Sequence, residues 1–107
     1  MADPVITEIE SELRSNKIMI YMKGTPSFPQ CGFSAATIEV LESLGRPFAS
    51  VDVLSQPAKR EAIKRYSNWP TIPQVYVDGK FIGGCDIVRE MHATGELKRL
   101  LDASFAG

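Results

Sequence analysis

The sequence predicts an α/β fold in which helices cover both faces of a four-stranded mixed sheet. Two short apolar runs, at residues 17–22 and 48–53, flank a helix-like stripe, and such strand–helix–strand units pair their strands in parallel through a right-handed crossover. An Asp78-Gly79 step between two further β-prone runs predicts a tight hairpin, which adds antiparallel strands. A chain of 107 residues has the usual length of one domain, so we expect residues 1–107 to form a single one.

The first two elements are predicted to be a helix and a buried strand. Asp3-Pro4 is typical of an N-cap followed by proline at the first helical position, and we expect this helix to end near Asn16. Its apolar residues recur at helical spacing, at Val5, Ile6, Ile9 and Leu13. Residues 17–22 are apolar and β-prone but too few for a helix, which indicates a buried strand. Glycine and proline then favour a loop over residues 24–29.

A second helix, a second strand and a third helix follow. The second helix begins at Gly32, and Gly45 has the position of a glycine that ends a helix. Residues 48–53 form the second strand. We expect Ser55 to cap the third helix, whose apolar side consists of Ala58, Ala62, Ile63 and Tyr66. Residues 69–73 contain two prolines and are not helical.

The C-terminal part predicts the hairpin and two more helices. Residues 74–77 and 80–83 are its strands, and an apolar helical pattern after them stops at Gly95. A short terminal helix then carries Leu97, Leu100 and Leu101. In α/β sheets of this kind ligands bind beyond the carboxyl ends of parallel strands. The loop after the first strand, which carries Cys31, is expected at that edge.

Composition disfavours several classes of partner. The net charge is -1, which gives no overall field for binding nucleic acid or an anionic membrane. The longest apolar run, Ile18–Met22, is far shorter than the roughly 20 residues that span a bilayer. The acidic N-terminus lacks the basic and apolar regions of a signal peptide. We therefore expect a cytoplasmic protein that binds neither nucleic acid nor membrane.

Metal ligands are scarce in this chain. Its two cysteines, Cys31 and Cys85, lie too far apart in sequence for a C-x-x-C zinc motif, and they are too few for a disulfide scaffold. His92 is the single histidine. One chain therefore cannot complete a four-coordinate site of soft ligands.

Cys31 is the candidate reactive residue. It directly precedes the second helix, where free N–H groups and the helix dipole favour a thiolate, and Lys23 across the loop adds positive charge. We expect a lowered thiol pKa, within the range of about 3.5 to 7.5 found at such sites. Ser34 replaces the second cysteine of a C-x-x-C motif, so a mixed disulfide with a small thiol remains open but a dithiol cycle within the motif does not. The alternative is that Cys31 is a buried small hydrophobe.

Residues 69–73 and two cations favour a binding cleft near this thiol. Residues before proline are extended, so the Ile72 backbone can offer strand-like hydrogen bonds to an extended ligand. The alternative is that the segment is only a rigid approach to the hairpin. Lys23 and Arg60 are the basic residues expected near the cleft, although a single basic residue is usually solvated surface.

The segment Gly83-Gly84-Cys85-Asp86 is a second place where backbone groups are expected to bind a ligand. Its glycines permit close backbone approach before a helix begins, and a helix N-terminus is a natural carboxylate site. Asp86 as a helix cap is a compatible alternative. Cys85 is either a second reactive thiol or a packed one, and packing is favoured because free cysteine is often buried.

The sequence contains five motifs in this order: Lys23-Gly24-Thr25-Pro26, Pro29-Gln30-Cys31-Gly32-Phe33-Ser34, Trp69-Pro70-Thr71-Ile72-Pro73-Gln74, Gly83-Gly84-Cys85-Asp86 and Gly95-Glu96-Leu97. Together they resemble the monothiol glutaredoxin family of the CGFS type over nearly the whole chain. The resemblance implies a thioredoxin fold, a cis peptide bond before Pro73 and glutathione as the ligand.

The resemblance also implies roles for individual residues. Lys23 and Arg60 would hold the glycine carboxylate of glutathione, and the Ile72 backbone would pair with its cysteinyl unit. The Cys85 N–H and Asp86 would receive the γ-glutamyl end.

Finally, the resemblance implies that a 2Fe-2S cluster is bound between two protomers and passed to acceptor proteins, in iron-sulfur cluster assembly and iron homeostasis. Such a cluster requires about four thiolates, of which Cys31 supplies one per protomer and two glutathione molecules supply the others. BolA-like proteins are plausible partners by the same resemblance. The alternative function is a thiol-disulfide oxidoreductase that removes glutathione from mixed disulfides through Cys31, and we expect this enzymatic activity to be at most weak.

Overall fold

Helices and strands follow one another in the order that the sequence predicts. The structure, a computed structural model, describes residues 3–106. Its helices are α1 (Pro4–Ser15), α2 (Gly32–Ser43), α3 (Pro57–Ser67), α4 (Cys85–Thr94) and α5 (Glu96–Phe105). Its strands are β1 (Ile18–Met22), β2 (Ala49–Asp52), β3 (Gln74–Val77) and β4 (Lys80–Gly83). Among these helices none is both long enough and apolar enough to cross a bilayer.

The predicted four-stranded mixed sheet is confirmed, with the strand order β2-β1-β3-β4. Strand β1 pairs with β2 in parallel, with Met19 opposite Ala49, and with β3 in antiparallel. The hairpin that joins β3 to β4 turns through Asp78 and Gly79, whose φ angles are +52° and +78°. Two positive φ angles are typical of the type I′ turn that the Asp-Gly step predicts.

Helices cover both faces of the sheet, which explains why β1 is apolar at every position. One face packs against α1 and α3, and the other packs against α2, α4 and α5. The side chains of β1 alternate between the two cores, with Met19 and Tyr21 on the first face and Ile18, Ile20 and Met22 on the second. A central strand buried on both faces reads as a continuous hydrophobic run.

The first helix begins as predicted, but the third does not. The Val5 N–H donates to Asp3 Oδ1 at 2.9 Å, which makes Asp3 the N-cap of α1. The prediction that Ser55 caps α3 was wrong, because its hydroxyl donates to the Asp52 carbonyl at 2.9 Å. The N-cap position of α3 belongs to Gln56, so Ser55 lies one residue before it.

An ion cluster around a buried lysine joins α3 to α1. Lys59 is only 4% exposed, and its Nζ bonds to Glu12 at 2.6 Å and also to Glu8. The Tyr21 hydroxyl donates to the second oxygen of Glu12 at 2.7 Å. Burial lowers the pKa of Lys59, but the bonds and charges of both glutamates outweigh it and raise that pKa overall. This cluster fixes α3, and with it the neighbouring Arg60, against α1 and β1.

Candidate thiol site and ligand cleft

A cleft of about 550 Å³ opens between the loop after β1, helix α3, the loop before β3 and the start of α4. This volume is within the range of about 300–1,000 Å³ that is usual for small-molecule sites. The cleft is lined by all six residues singled out from the sequence, namely Lys23, Cys31, Arg60, Ile72, Cys85 and Asp86. Folding therefore brings together residues that are spread over much of the chain.

Cys31 occupies the N-cap position of α2 in an extended conformation and is partly exposed. Its thiol pKa is lowered from the ordinary value, above all by the Ser34 backbone N–H. Slight burial opposes this effect, while the Phe33 N–H and the positive charge of Lys23 add to it. The predicted direction of the shift is confirmed, and the alternative that Cys31 is a buried small hydrophobe is wrong because the residue is partly exposed and lines the cleft.

Ser34 has a structural role that the sequence did not reveal. It is fully buried, and its Oγ accepts a hydrogen bond from the Lys23 N–H at 3.1 Å. The residue in the second cysteine's place therefore ties the start of α2 to the end of β1. The motif spacing alone indicated only that a resolving thiol was missing.

The loop that carries Cys31 is anchored to β2 by Asp52, another residue that sequence reasoning missed. Asp52 Oδ1 accepts from the N–H groups of Gly24 at 3.0 Å and Leu54 at 2.9 Å. Gly24 has a φ of +88°, and a Cβ there would lie 2.5 Å from the Phe28 carbonyl oxygen. Only glycine fits this position without moving the loop backbone.

Three cationic side chains line the cleft. Lys23 and Arg60 both line it, and the buried Nε of Arg60 has no hydrogen-bond partner within residues 3–106. Lys64, one helical turn after Arg60, also lines the cleft, and its nearest ion pair is a long one with Glu61 at 3.8 Å. Lys64 was not predicted as a site residue, although its i, i+4 spacing from Arg60 on a predicted helix was the available signal.

The loop before β3 contributes an unpaired stretch of backbone. The Ile72–Pro73 peptide bond is cis, as the resemblance implies. Neither the N–H nor the C=O of Ile72 bonds to any other residue among 3–106. Ile72 is among the residues that line the cleft, so its unpaired backbone groups are available to bond to a ligand there.

The start of α4 provides a third set of backbone groups. Gly84 is the N-cap and makes no side-chain capping bond, so the first N–H groups of α4 lack side-chain partners. A Cβ on Gly84 would lie 3.1 Å from the Pro73 carbonyl, so the predicted close approach occurs between two segments of this chain. The Cys85 side chain is buried, in agreement with the packing alternative, whereas Asp86 is exposed in the first helical turn.

Two aromatic side chains at the cleft were not predicted as site residues. Phe33, directly after the Cys31-Gly32 step, is 61% exposed, and Trp69 is 36% exposed. The Trp69 ring packs beside Phe81 with centroids 5.7 Å apart. Both rings extend the apolar wall around the thiol.

A sequence profile described as Glutaredoxin matches residues 18–82. The chain belongs to the glutaredoxin family. An uncharacterized monothiol glutaredoxin, ycf64-like, from Synechocystis is 50% identical over 98 residues, which cover 92% of each chain. Glutaredoxin 4 of Escherichia coli is 46% identical over 94% of this chain and 88% of its own. The resemblance to monothiol glutaredoxins is thus confirmed.

Solved glutaredoxin structures agree with the fold. Reduced poplar apo GrxS14 superposes with a TM-score of 0.85 at 43% identity, over 96% of this chain and 94% of its own. A monomeric truncated mutant of Trypanosoma brucei 1-C-Grx1 superposes with a TM-score of 0.86 at 39% identity, over 95% and 93% of the two chains. The predicted thioredoxin fold is therefore confirmed.

Proposed function

We propose that this glutaredoxin binds glutathione in the Cys31 cleft and, as a dimer, carries a 2Fe-2S cluster to acceptor proteins. The observation that carries the proposal is the meeting of a thiol of lowered pKa with the unpaired buried Nε of Arg60 in one cleft. A thiol tripeptide with a carboxylate at each end has the complementary chemistry.

Each part of glutathione has a matching group in the cleft. The glycine carboxylate binds to Lys23 and Arg60, as carboxylates do to guanidinium and ammonium groups. The cysteinyl unit pairs with the free Ile72 backbone in the manner of an added strand. The γ-glutamyl carboxylate meets the Cys85 N–H at the start of α4, where the helix dipole favours an anion, and Asp86 receives the amino group.

The 2Fe-2S cluster is proposed as cargo held between two protomers. One chain has too few thiolates to bind it alone. Within residues 3–106 no group of three or more His, Cys, Asp or Glu residues could hold a metal ion. Cys85 is buried, which leaves Cys31 as the accessible thiol among the described residues. Two protomers and two glutathione molecules together supply the four or so thiolates that a 2Fe-2S cluster needs. BolA-like proteins and iron-sulfur acceptors are the partners proposed by resemblance.

Anaerobic reconstitution with iron, sulfide and glutathione tests this proposal. The wild type should acquire visible absorption and the mass of a dimer, whereas Cys31→Ser should remain colourless and monomeric. Cys85→Ser is the matched thiol control, and it should still form the chromophore because serine keeps the backbone N–H. A colourless wild type, or equal colour in Cys31→Ser, would contradict the cluster role.

The lowered pKa of Cys31 also favours a second candidate, the removal of glutathione from mixed disulfides. The Cys31 thiolate would attack the glutathione sulfur, form Cys31–S–S–glutathione and release the substrate thiolate. A second glutathione thiolate would then attack that disulfide, release oxidised glutathione and restore the Cys31 thiolate. Steady-state turnover on a glutathionylated peptide tests this activity, and no turnover above that of Cys31→Ser would exclude it.

A further inference from the structure

A fully buried carboxamide lies behind the loop of residues 69–73. Gln74 begins β3, and its side-chain Nε2 donates to the carbonyls of Trp69 at 3.1 Å and Thr71 at 3.2 Å. The Tyr76 hydroxyl donates to Gln74 Oε1 at 3.0 Å. The amide orientation is fixed by chemistry, because a carbonyl oxygen only accepts and must face the NH₂ group.

These bonds determine where the Ile72 N–H points. The Thr71 carbonyl and the Ile72 N–H belong to one peptide unit, and the Thr71–Ile72 bond is not among the cis bonds of the described chain. In a trans peptide the C=O and the N–H point in opposite directions. Because Gln74 holds the Thr71 oxygen toward the buried side, the Ile72 N–H is turned toward the cleft, where it has no partner among residues 3–106.

We propose that Gln74 is a positioning residue, which sets the Thr71–Ile72 peptide plane so that the Ile72 N–H is presented to a peptide ligand in the cleft. This inference rests on the proposed function in taking that ligand to be glutathione. Gln74 itself is fully buried and acts through the loop backbone. Its hydrogen bond to the Thr71 carbonyl prevents a rotation of the peptide unit that would point this oxygen at the ligand.

Gln74→Met tests the role, because methionine fills a similar volume without a donor. Two carbonyls then lose their partner and the peptide plane is free to rotate. We expect the dissociation constant for reduced glutathione, measured anaerobically by calorimetry, to rise about tenfold, which corresponds to about 1.4 kcal/mol. Gln74→Leu, which also lacks the donor and stays uncharged in the buried site, provides a second variant if the methionine variant does not fold.

Tyr76→Phe is the matched control. It removes a hydrogen bond from the same buried network but leaves the two bonds from Gln74 to the loop, so glutathione affinity should stay within about twofold, a change below 0.5 kcal/mol. The alkylation rate of Cys31 without glutathione should also be unchanged in Gln74→Met, because the N–H groups that face its sulfur belong to α2. If a general loss of structure were the cause, Gln74→Met and Tyr76→Phe should both bind glutathione more weakly, and by similar factors.

The outcomes separate this inference from the proposed function. If the wild type binds glutathione and both Gln74 variants bind it equally well, the positioning role is wrong and the proposed function stands. If the wild type does not bind glutathione, the proposed function is wrong, and amide NMR of the free protein still decides the role of Gln74. The Ile72 cross-peak should move or broaden in Gln74→Met but not in Tyr76→Phe, and an unmoved peak in both would overturn the inference.

Discussion

Replacing Ser34 by alanine should destabilise this protein without altering any ligand-facing side chain. Ser34 is 0% exposed, and its Oγ is the acceptor for the Lys23 N–H at 3.1 Å. Alanine leaves that N–H without its partner, and an unsatisfied buried donor costs about 1–3 kcal/mol. We expect a loss of about 2 kcal/mol in the free energy of unfolding. For a domain of this size, that loss lowers Tm by roughly 8 °C or more.

Urea unfolding followed by fluorescence measures the effect, because Trp69 is the only tryptophan in the chain. The midpoint should fall with an unchanged slope, since the variant exposes the same surface on unfolding. Ser43→Ala is the matched control on the same helix: Ser43 is exposed and bonds only to the Val40 carbonyl one turn earlier, so its loss should stay within about 0.5 kcal/mol. Equal midpoints for Ser34→Ala and Ser43→Ala would refute the conclusion that Ser34 ties α2 to β1.

Four further predictions concern the cleft and the loop that carries Cys31. Lys23→Gln should raise the thiol pKa of Cys31, measured from the pH dependence of its alkylation rate, because a neighbouring positive charge is lost. Since folding lowers that pKa, the stability of the wild type relative to Cys31→Ser should be largest above the ordinary thiol pKa and be lost as the pH falls through the folded one. Arg60→Ala should weaken glutathione binding about tenfold to a hundredfold by calorimetry, the equivalent of one charged hydrogen bond. Gly24→Ala should destabilise the protein by more than about 2 kcal/mol in urea unfolding, whereas Gly32→Ala, with open space around it, should change stability by less than about 1 kcal/mol.

Patterns that act over short stretches of sequence predicted most of the fold. The apolar run of β1 identified a central strand because helices cover both of its faces, and the Asp-Gly step identified the hairpin because its two positive φ angles exclude most residues. The prediction about Ser55 failed for a local reason. A serine near a helix start can cap the helix or bond to the turn before it, and Ser55 does the second because α3 begins one residue too late for it to be the N-cap.

Residues that act across the fold were not predictable in the same way. Lys59 lies on a helix with many charged neighbours, and nothing in its spacing distinguishes a buried lysine from a solvated one. Its burial depends on two glutamates that α1 brings to the same place. Asp52 likewise has an ordinary position at the end of a strand, and its bond to Gly24 becomes visible only in three dimensions.

The construction of the cleft explains why some of its residues could be predicted from the sequence and others could not. Some of the groups proposed to meet glutathione are backbone atoms, at Ile72 and at the start of α4, and the glycine and proline patterns of the sequence predict where such atoms are presented. The groups that hold the segments around the cleft in place are single polar side chains, namely the buried Ser34 and Gln74 and the partly buried Asp52. Each is an ordinary polar residue in sequence, but each satisfies a backbone group that would otherwise be free to turn away from the cleft. A substitution at one of them should therefore weaken ligand binding without removing any atom that touches the ligand.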